Sequence, residues 1–261
     1  MILAIVNQKG GVGKTTTAIT LASGLARQGR TTLLVDLDSQ GNVCDALGLE
    51  KSPGLYRLLV ARMKLDQLVI PGEAGDIPLD VLPGDHSTVD AKQHLSAMNF
   101  RERALERAFG SVHRRYEWVV LDLAPSVDVL HIAALVAADA FLVPTRLDHL
   151  AVVGVNDALL TLAALGQGGI DPPRFLGVLP TFWDRTTNES DHQLAHLART
   201  FGSRLWPPIP QDVKAREAPA HGQALWDYAP QCRALRGVWL GNRWVGGYEQ
   251  VLNRLLEEGE R

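Results

Sequence analysis

The residue types best suited to chemistry stand together near the start of the chain. Residues 9–16 read KGGVGKTT and follow the apolar run Ile2-Leu-Ala-Ile-Val6. A buried strand that feeds a glycine-rich turn and then a helix makes a cradle for phosphate. Gly10, Gly11 and Gly13 let the backbone come close, their N–H groups turn inward, and a helix N-terminus favours negative charge. Lys14 can reach β- and γ-phosphates, and the Thr15 hydroxyl can hold Mg²⁺. Neither common glycine-loop pattern fits as written: Gln8 replaces the first glycine of GxxxxGK[ST], and Thr16 replaces the last of GxGxxG. A second lysine, Lys9, opens the loop. Residues 15–27 carry apolar positions at helical spacing with Gly29 just beyond them, which predicts a helix directly after the loop.

Carboxylates stand where they would complete such a site. Asp36 and Asp38 close an apolar run in LLVDLDSQGN, and Asp122 closes another in WVVLDLAPS. An acid at a strand's carboxyl end commonly holds Mg²⁺ through water. Asp also favours turns, so each of these alone could be a capping residue. Their company with the phosphate loop points instead to one crevice.

The elements that must position these groups can be read from hydrophobic patterning. Strands are expected at 2–7, 32–36, 79–82, 118–122, 140–144 and 175–180, with a further one at 204–206. Helices are expected at 15–27, 87–107, 130–138, 152–164, 188–201 and 248–258. Most strand segments are nearly continuous apolar runs, as in a parallel sheet buried on both faces. The alternation predicts an α/β fold: a single-domain, doubly wound, mostly parallel sheet over residues 1–261 with helices on both faces. Ligands of such sheets sit at the carboxyl ends of the strands. Residues 41–77, punctuated by Pro53-Gly54, Pro71-Gly72 and Gly75, read as loops and short helices on one edge.

Composition narrows the class. The 261 residues are 46% hydrophobic, enough for a packed core, and the net charge of −3 excludes a globally basic nucleic-acid binder. Cys44 and Cys232 belong to no metal-thiolate spacing, which suits a reduced, cytoplasmic protein. No apolar run approaches the roughly 20 residues of a membrane span. The chain enters its first strand at once, so neither a secretory leader nor a site-specific DNA-binding module ahead of the sheet is expected.

The order KGGVGKTT, VDLDSQGN, VVLDLAPS resembles the ParA family of partition ATPases, deviant-Walker A P-loop proteins related to MinD and the nitrogenase iron protein. The resemblance continues through LDVLPGDHSTVDAKQHL (79–95), GVLPTFWDRTTN (177–188) and IPQDVKAREAPAHGQALWDYAP (209–230). It implies ATP/ADP and Mg²⁺ as ligands, with residues 10–16, Val12 included, around the phosphates. Lys14, Thr15 and Thr16 would contact phosphate and Mg²⁺. Asp38 would position the attacking water near the metal, Asp36 would be the nearby acid of the same switch, and Asp122 the Walker B acid. Thr181, Pro210 and Asp212 would lie near the adenine. Lys9 matches the signature lysine that reaches across a dimer interface to the partner's nucleotide. Two positions depart from the family: Ala124, where a pair of prolines is common, and Ser39, where a proline usually follows the switch aspartate.

The resemblance further implies an ATP-dependent homodimer that binds DNA without sequence preference, associates with the nucleoid and is stimulated by a ParB-like protein or cargo adaptor. The cargo would be a chromosome or plasmid, or else a body such as a carboxysome or chemoreceptor array. Between residues 199 and 243, seven basic against three acidic residues give a local charge of +4. Arg199, Lys214, Arg216, Arg233 and Arg236 are therefore the candidate phosphate-backbone contacts. The cluster of Arg101, Arg103, Arg107, Arg114 and Arg115 alternates with Glu102 and Glu106 and reads as a solvated helix face. Trp206, Trp226, Trp239 and Trp244 read as core or interface anchors, and His192 and His196 as surface helix residues. A MinD-like membrane role would need a basic amphipathic C-terminal helix. Here that segment carries Glu249, Glu257, Glu258 and Glu260 against Arg254 and Arg261, which anionic lipid repels.

Overall fold

A computed structural model describes residues 1–72 and 79–259; Gly75, Glu260 and Arg261 lie outside the described residues. The strands of the main sheet are β1 (Ile2–Ile5), β2 (Thr32–Asp36), β3 (Ile70–Gly72), β4 (Leu79–Leu82), β5 (Trp118–Asp122), β6 (Ala140–Arg146) and β7 (Arg174–Thr181). They lie in the order β3-β4-β2-β5-β1-β6-β7. All pairs are parallel except β3 with β4.

Successive strand residues point to opposite faces, and both faces are apolar here. Ala4, Leu33, Val35, Val119, Leu121 and Val143 face one core. That core is roofed by α3 (Gly54–Leu59), α4 (Thr88–Ser96), α5 (Ala104–Phe109), α6 (Val129–Ala137), α7 (Ala151–Gln167) and α8 (Asn188–Phe201). Leu3, Ile5, Leu34, Val120 and Leu142 face the other. Its roof is α1 (Lys14–Arg27), α2 (Asn42–Leu47), α9 (Lys214–Ala220), α10 (Leu225–Tyr228), α11 (Arg233–Arg236) and α12 (Tyr248–Gly259). The sheet is thus doubly wound, as the apolar runs predict.

Besides the edge strand β3, which falls in a stretch read as loops and short helices, three elements differ from the sequence expectation. The helix expected at 87–107 is broken: α4 ends at Ser96, Phe100 takes a left-handed φ of 54°, and a 3-10 turn at Arg101–Arg103 precedes α5. The turn lets Leu95 and Leu105 both reach the core. Residues 204–206 form no strand. They make an isolated bridge, with the Trp206 N–H donating to the Val178 carbonyl at 2.8 Å. This approach requires glycine on β7, because a Cβ on Gly177 would lie 1.9 Å from the Arg204 carbonyl oxygen. The third is a hairpin of β8 (Val238–Leu240) and β9 (Arg243–Val245). Its inner residues Val238, Leu240 and Val245 pack on the core. Its outer residues Trp239 and Trp244 are 56% and 46% exposed, so these two tryptophans are not core anchors. Trp206 is buried, and the half-buried Trp226 donates its indole N–H to the Thr20 carbonyl at 2.8 Å.

The C-terminal helix α12 spends its apolar side inside the molecule, burying Tyr248, Val251, Leu252 and Leu255. Among the described residues, no helix is long and apolar enough to cross a membrane. His192 and His196 are exposed on α8. The arginines of 101–115 do not share one helix: Arg103 pairs with Glu106, and Arg115 bridges to Asp66 and Asp80.

Candidate nucleotide site

Strands β2, β5 and β1 are neighbours, so Asp36–Asp38, Asp122 and the glycine loop leave the same sheet edge side by side. Asp36 and Asp122 are direct register partners. After β1 the chain turns through Gly11 (φ 71°) and Gly13 (φ 90°), which opens α1 without a side-chain cap. The first helical hydrogen bond runs from the Thr17 N–H to the Gly13 carbonyl at 2.9 Å. The preceding N–H groups are the unpaired donors of a helix start, where an anion binds well. They border a cavity of about 620 Å³ lined by Gly10, Gly11, Gly13, Lys14, Thr15, Thr16 and Asp38, with Asn42, Pro125 and Phe182. A second cavity of about 220 Å³ shares Gly13, Thr16 and Phe182 with the first and adds Arg146, Thr181, Pro210, Asp212 and Arg216.

Lys14 is 7% exposed and donates to the Lys9 carbonyl at 3.1 Å. Burial lowers its pKa, opposed by the charges of Asp122 and Asp38. Val12 is buried, and its carbonyl accepts from the Thr181 hydroxyl at 2.9 Å, which ties β7 to the loop. Asp38 lines the cavity and its carboxylate accepts from the Gln40 N–H at 3.1 Å. Asp212 is anchored by accepting from the N–H groups of Lys214 at 2.9 Å and Arg233 at 2.7 Å.

The two remaining acids lie behind the cavity wall. Asp36 is fully buried and accepts from the N–H groups of Asp38 at 2.9 Å and Val43 at 3.1 Å. It shapes the switch turn rather than lining the cavity. Burial pushes its pKa up to about 7 against those two hydrogen bonds. Asp122 is 1% exposed, and neither carboxylate oxygen has a hydrogen-bond partner of normal geometry. Burial and the neighbouring Asp36 raise its pKa, while the Thr15 hydroxyl and the Lys14 ammonium pull it down. An orphaned carboxylate beside a hydroxyl and a lysine is an unfinished site that suits a hard divalent cation. Among the described residues no cluster of three or more His, Cys, Asp or Glu side chains could hold a metal unaided. Such a cation would therefore take oxygens from phosphate and water.

The raised Asp36 pKa has a measurable consequence. An unfolded Asp ionises near 4. Between about pH 4 and 7 the folded chain therefore holds a proton that the unfolded chain has released. Stability from this group falls as pH rises through that window, by at most about 1.4 kcal/mol per unit, and is flat above it. In urea unfolding of nucleotide-free protein, Asp36→Asn should gain on wild type steadily from pH 4 to 7. Loss of a hydrogen bond shifts the whole curve without tilting it, so a gap that does not vary with pH would overturn the assignment. The buried His131, pushed down to about 4, titrates in both proteins and cancels, whereas Asp122, whose pKa the Asp36 charge helps to raise, loses part of that shift in the variant and adds to the same trend.

Helix α7 contributes more than the sequence disclosed. The Asn7 amide donates to the Pro144 carbonyl at 2.8 Å and accepts from the Lys9 N–H at 2.9 Å. Gln8, the residue that breaks the common loop pattern, donates to the Asp157 carbonyl and the Thr161 hydroxyl, both at 3.1 Å. Lys9 is absent from the walls of both cavities; its ammonium pairs with Asp148 at 2.6 Å. Arg146 and Phe182 were also unforeseen. The guanidinium lies 5.0 Å from the ring centroid, and Phe182 holds a left-handed φ of 55°.

The candidate DNA contacts are scattered in role. Arg216 lines the smaller cavity, Lys214 pairs with Glu217 at 2.8 Å, and Arg236 pairs with Glu249. Arg199 and Arg233 are exposed, with no ion-pair partner among the described residues.

A parallel sheet with a glycine-loop phosphate cradle, its lysine and its strand-end acids defines a P-loop nucleotide-binding protein. A family model described as an AAA domain matches residues 1–168. The chromosome-partitioning ATPase Soj of Thermus thermophilus is 39% identical over 87% of this chain and 88% of its own. Cobyrinic acid a,c-diamide synthase of Mycobacterium smegmatis, solved with an ATP analogue and magnesium, is 31% identical, with a TM-score of 0.74 over 88% of this chain and 96% of that one. Apo McdA of Cyanothece shares the fold, with a TM-score of 0.79 over 88% of this chain and 93% of that one, at 24% identity. The chain belongs to the Soj/ParA family of chromosome-partitioning ATPases.

Proposed function

We propose that this protein is a Mg-ATP-dependent ATPase that dimerises around its nucleotide. In the ATP state it binds DNA without sequence preference, and it segregates a chromosome or plasmid in the cytoplasm, on the nucleoid, under the control of a ParB-like stimulating protein. The observation that carries the dimer is the placement of Lys9. The residue sits on the phosphate loop, a third of its side chain is exposed, and it lines neither cavity of its own subunit. A facing subunit across a two-fold axis gives it a phosphate to reach, and the same contact is then made twice.

Phosphoryl transfer needs alignment and charge more than covalent help. Lys14 and the free N–H groups of the loop hold the phosphates in line. Thr15, Asp122 and Asp38 are the groups that would hold Mg²⁺, which when bound neutralises charge on the phosphate oxygens. Asp38, on the exposed side of the cavity, orients water, while Asp36 fixes the turn that presents it. Thr181, Phe182, Pro210 and Asp212 enclose the base.

Duplex DNA titrated with the protein in ATP, in ADP and without nucleotide, each at two salt concentrations, tests the reading. Binding should appear with ATP and fall steeply with salt as counterions are displaced. Equal binding in all three states would remove the nucleotide switch. Its absence with ATP would leave a partition ATPase that works on something other than DNA.

A further inference from the structure

We infer that a groove between α3, α4 and α5 docks an amphipathic, acidic helix of a partner protein. The groove measures about 510 Å³ and shares no residue with the nucleotide cavities. Its floor is apolar, with Leu59, Leu95 and Met98, and its rim carries Arg62, Lys64 and Arg107, with no carboxylate among the described lining residues. Arg62 and Lys64 are exposed and have no ion-pair partner among the described residues. The Arg107 guanidinium donates to the Phe100 carbonyl at 3.0 Å and has no ion-pair partner among the described residues. Two large apolar side chains flank the groove in water, Met63 at 38% and Phe100 at 70% exposure. The backbone on both sides is held in the left-handed region, at Arg62 (φ 52°) and Phe100 (φ 54°), which residues with a Cβ seldom adopt.

This combination selects its occupant. Arg103 and Arg115 nearby are paired with acids, whereas the three rim cations have no ion-pair partner among the described residues. Nucleic acid would satisfy the cations and leave the leucine and methionine floor, Met63 and Phe100 wet. An amphipathic helix meets both demands. Aliphatic side chains at i, i+3, i+4 and i+7 fill the floor, where methionine adapts to their shape, and flanking Asp and Glu residues meet the rim. The inference does not depend on the nucleotide reading.

The test uses the full chain and a fluorescein-labelled synthetic peptide of about 18 residues, with leucine at the anchor positions and glutamate on the flanks. Controls are a scrambled peptide of the same composition and one with lysine for glutamate. Anisotropy should give saturable binding of the acidic helix only, weakened by salt. Arg62→Glu combined with Lys64→Glu and Arg107→Glu should cost at least about tenfold and switch preference to the lysine peptide. Arg62→Glu alone should give a smaller loss in the same direction, so the result survives if the triple variant folds poorly. Amide exchange protection on peptide binding should fall on residues 58–65 and 95–108. Equal binding of the scrambled peptide, or no effect of charge reversal, overturns the inference. So does a triple variant whose loss is confined to duplex DNA, to phosphatidylglycerol vesicles or to self-association in sedimentation.

Discussion

Lys9→Ala binds ATP as the wild type does and stays monomeric with it. This is expected because the Lys9 side chain lines neither nucleotide cavity, while its carbonyl, which the substitution keeps, is what Lys14 donates to. Truncating one member of a desolvated interfacial charge pair costs about 2–5 kcal/mol, and the two-fold axis removes two such pairs, so dimer affinity falls by roughly 1000-fold or more. Fluorescent-nucleotide titration and sedimentation in ATP measure the two halves of the claim separately. A variant that still dimerises with ATP would sink the shared-site reading. Asp148→Asn should move the other way. It frees Lys9 in each subunit from a partly exposed ion pair worth at most about 1 kcal/mol, so the ATP dimer should tighten by up to about 30-fold. Dimerisation lost in Asp148→Asn would instead make the pair a structural requirement of the loop.

Asp38→Ala should bind ATP and dimerise yet turn over roughly 100- to 1000-fold more slowly. The size follows from the residue's position: Asp38 lines the cavity with Lys14 and Thr15, whereas Asp36 is sealed behind it. Asp38→Asn keeps an acceptor for the Gln40 N–H and so preserves the turn. If Asn restores turnover, Asp38 acts through loop shape; if Asn is as slow as Ala, the carboxylate itself is required. Phosphate release under saturating ATP separates these outcomes, and unchanged turnover in Asp38→Ala would remove the residue from the chemistry.

The sheet was legible because its strands announce themselves. Residues 33–35, 118–121 and 140–144 are apolar runs that are buried on both faces, and nothing but a central or near-central strand wants such a run. The loop and its acids were legible for a related reason: phosphate chemistry needs glycines, a lysine and strand-end carboxylates in a fixed order. What the chain hid depends on long-range placement. Asp36 and Asp38 are alike in sequence, yet one spends its oxygens on backbone N–H groups and the other faces the cavity. Gln8 looked like a defect in a motif until α7 came to meet it. Arg216 looked like part of a basic patch until the fold put it beside the base cavity. The hairpin of β8 and β9 was missed because its alternation spans three residues a side, too few for periodicity to register.

The neighbouring positions of β1, β2 and β5 carry one more consequence, for the order in which the chain folds. β1 and β2 are joined through α1, whereas β5, which lies between them in the sheet, comes from much later in the chain. Such non-local pairing forms late, after the entropy of closing long loops has been met. Until β5 inserts, the glycine loop and the acids of β2 lack their shared floor, and no nucleotide site exists. ATP therefore recognises only finished molecules. Its binding adds stability by mass action, about 2.7 kcal/mol at 100 times its dissociation constant, and a fluorescent nucleotide mixed into refolding protein would time the closure of the sheet's centre.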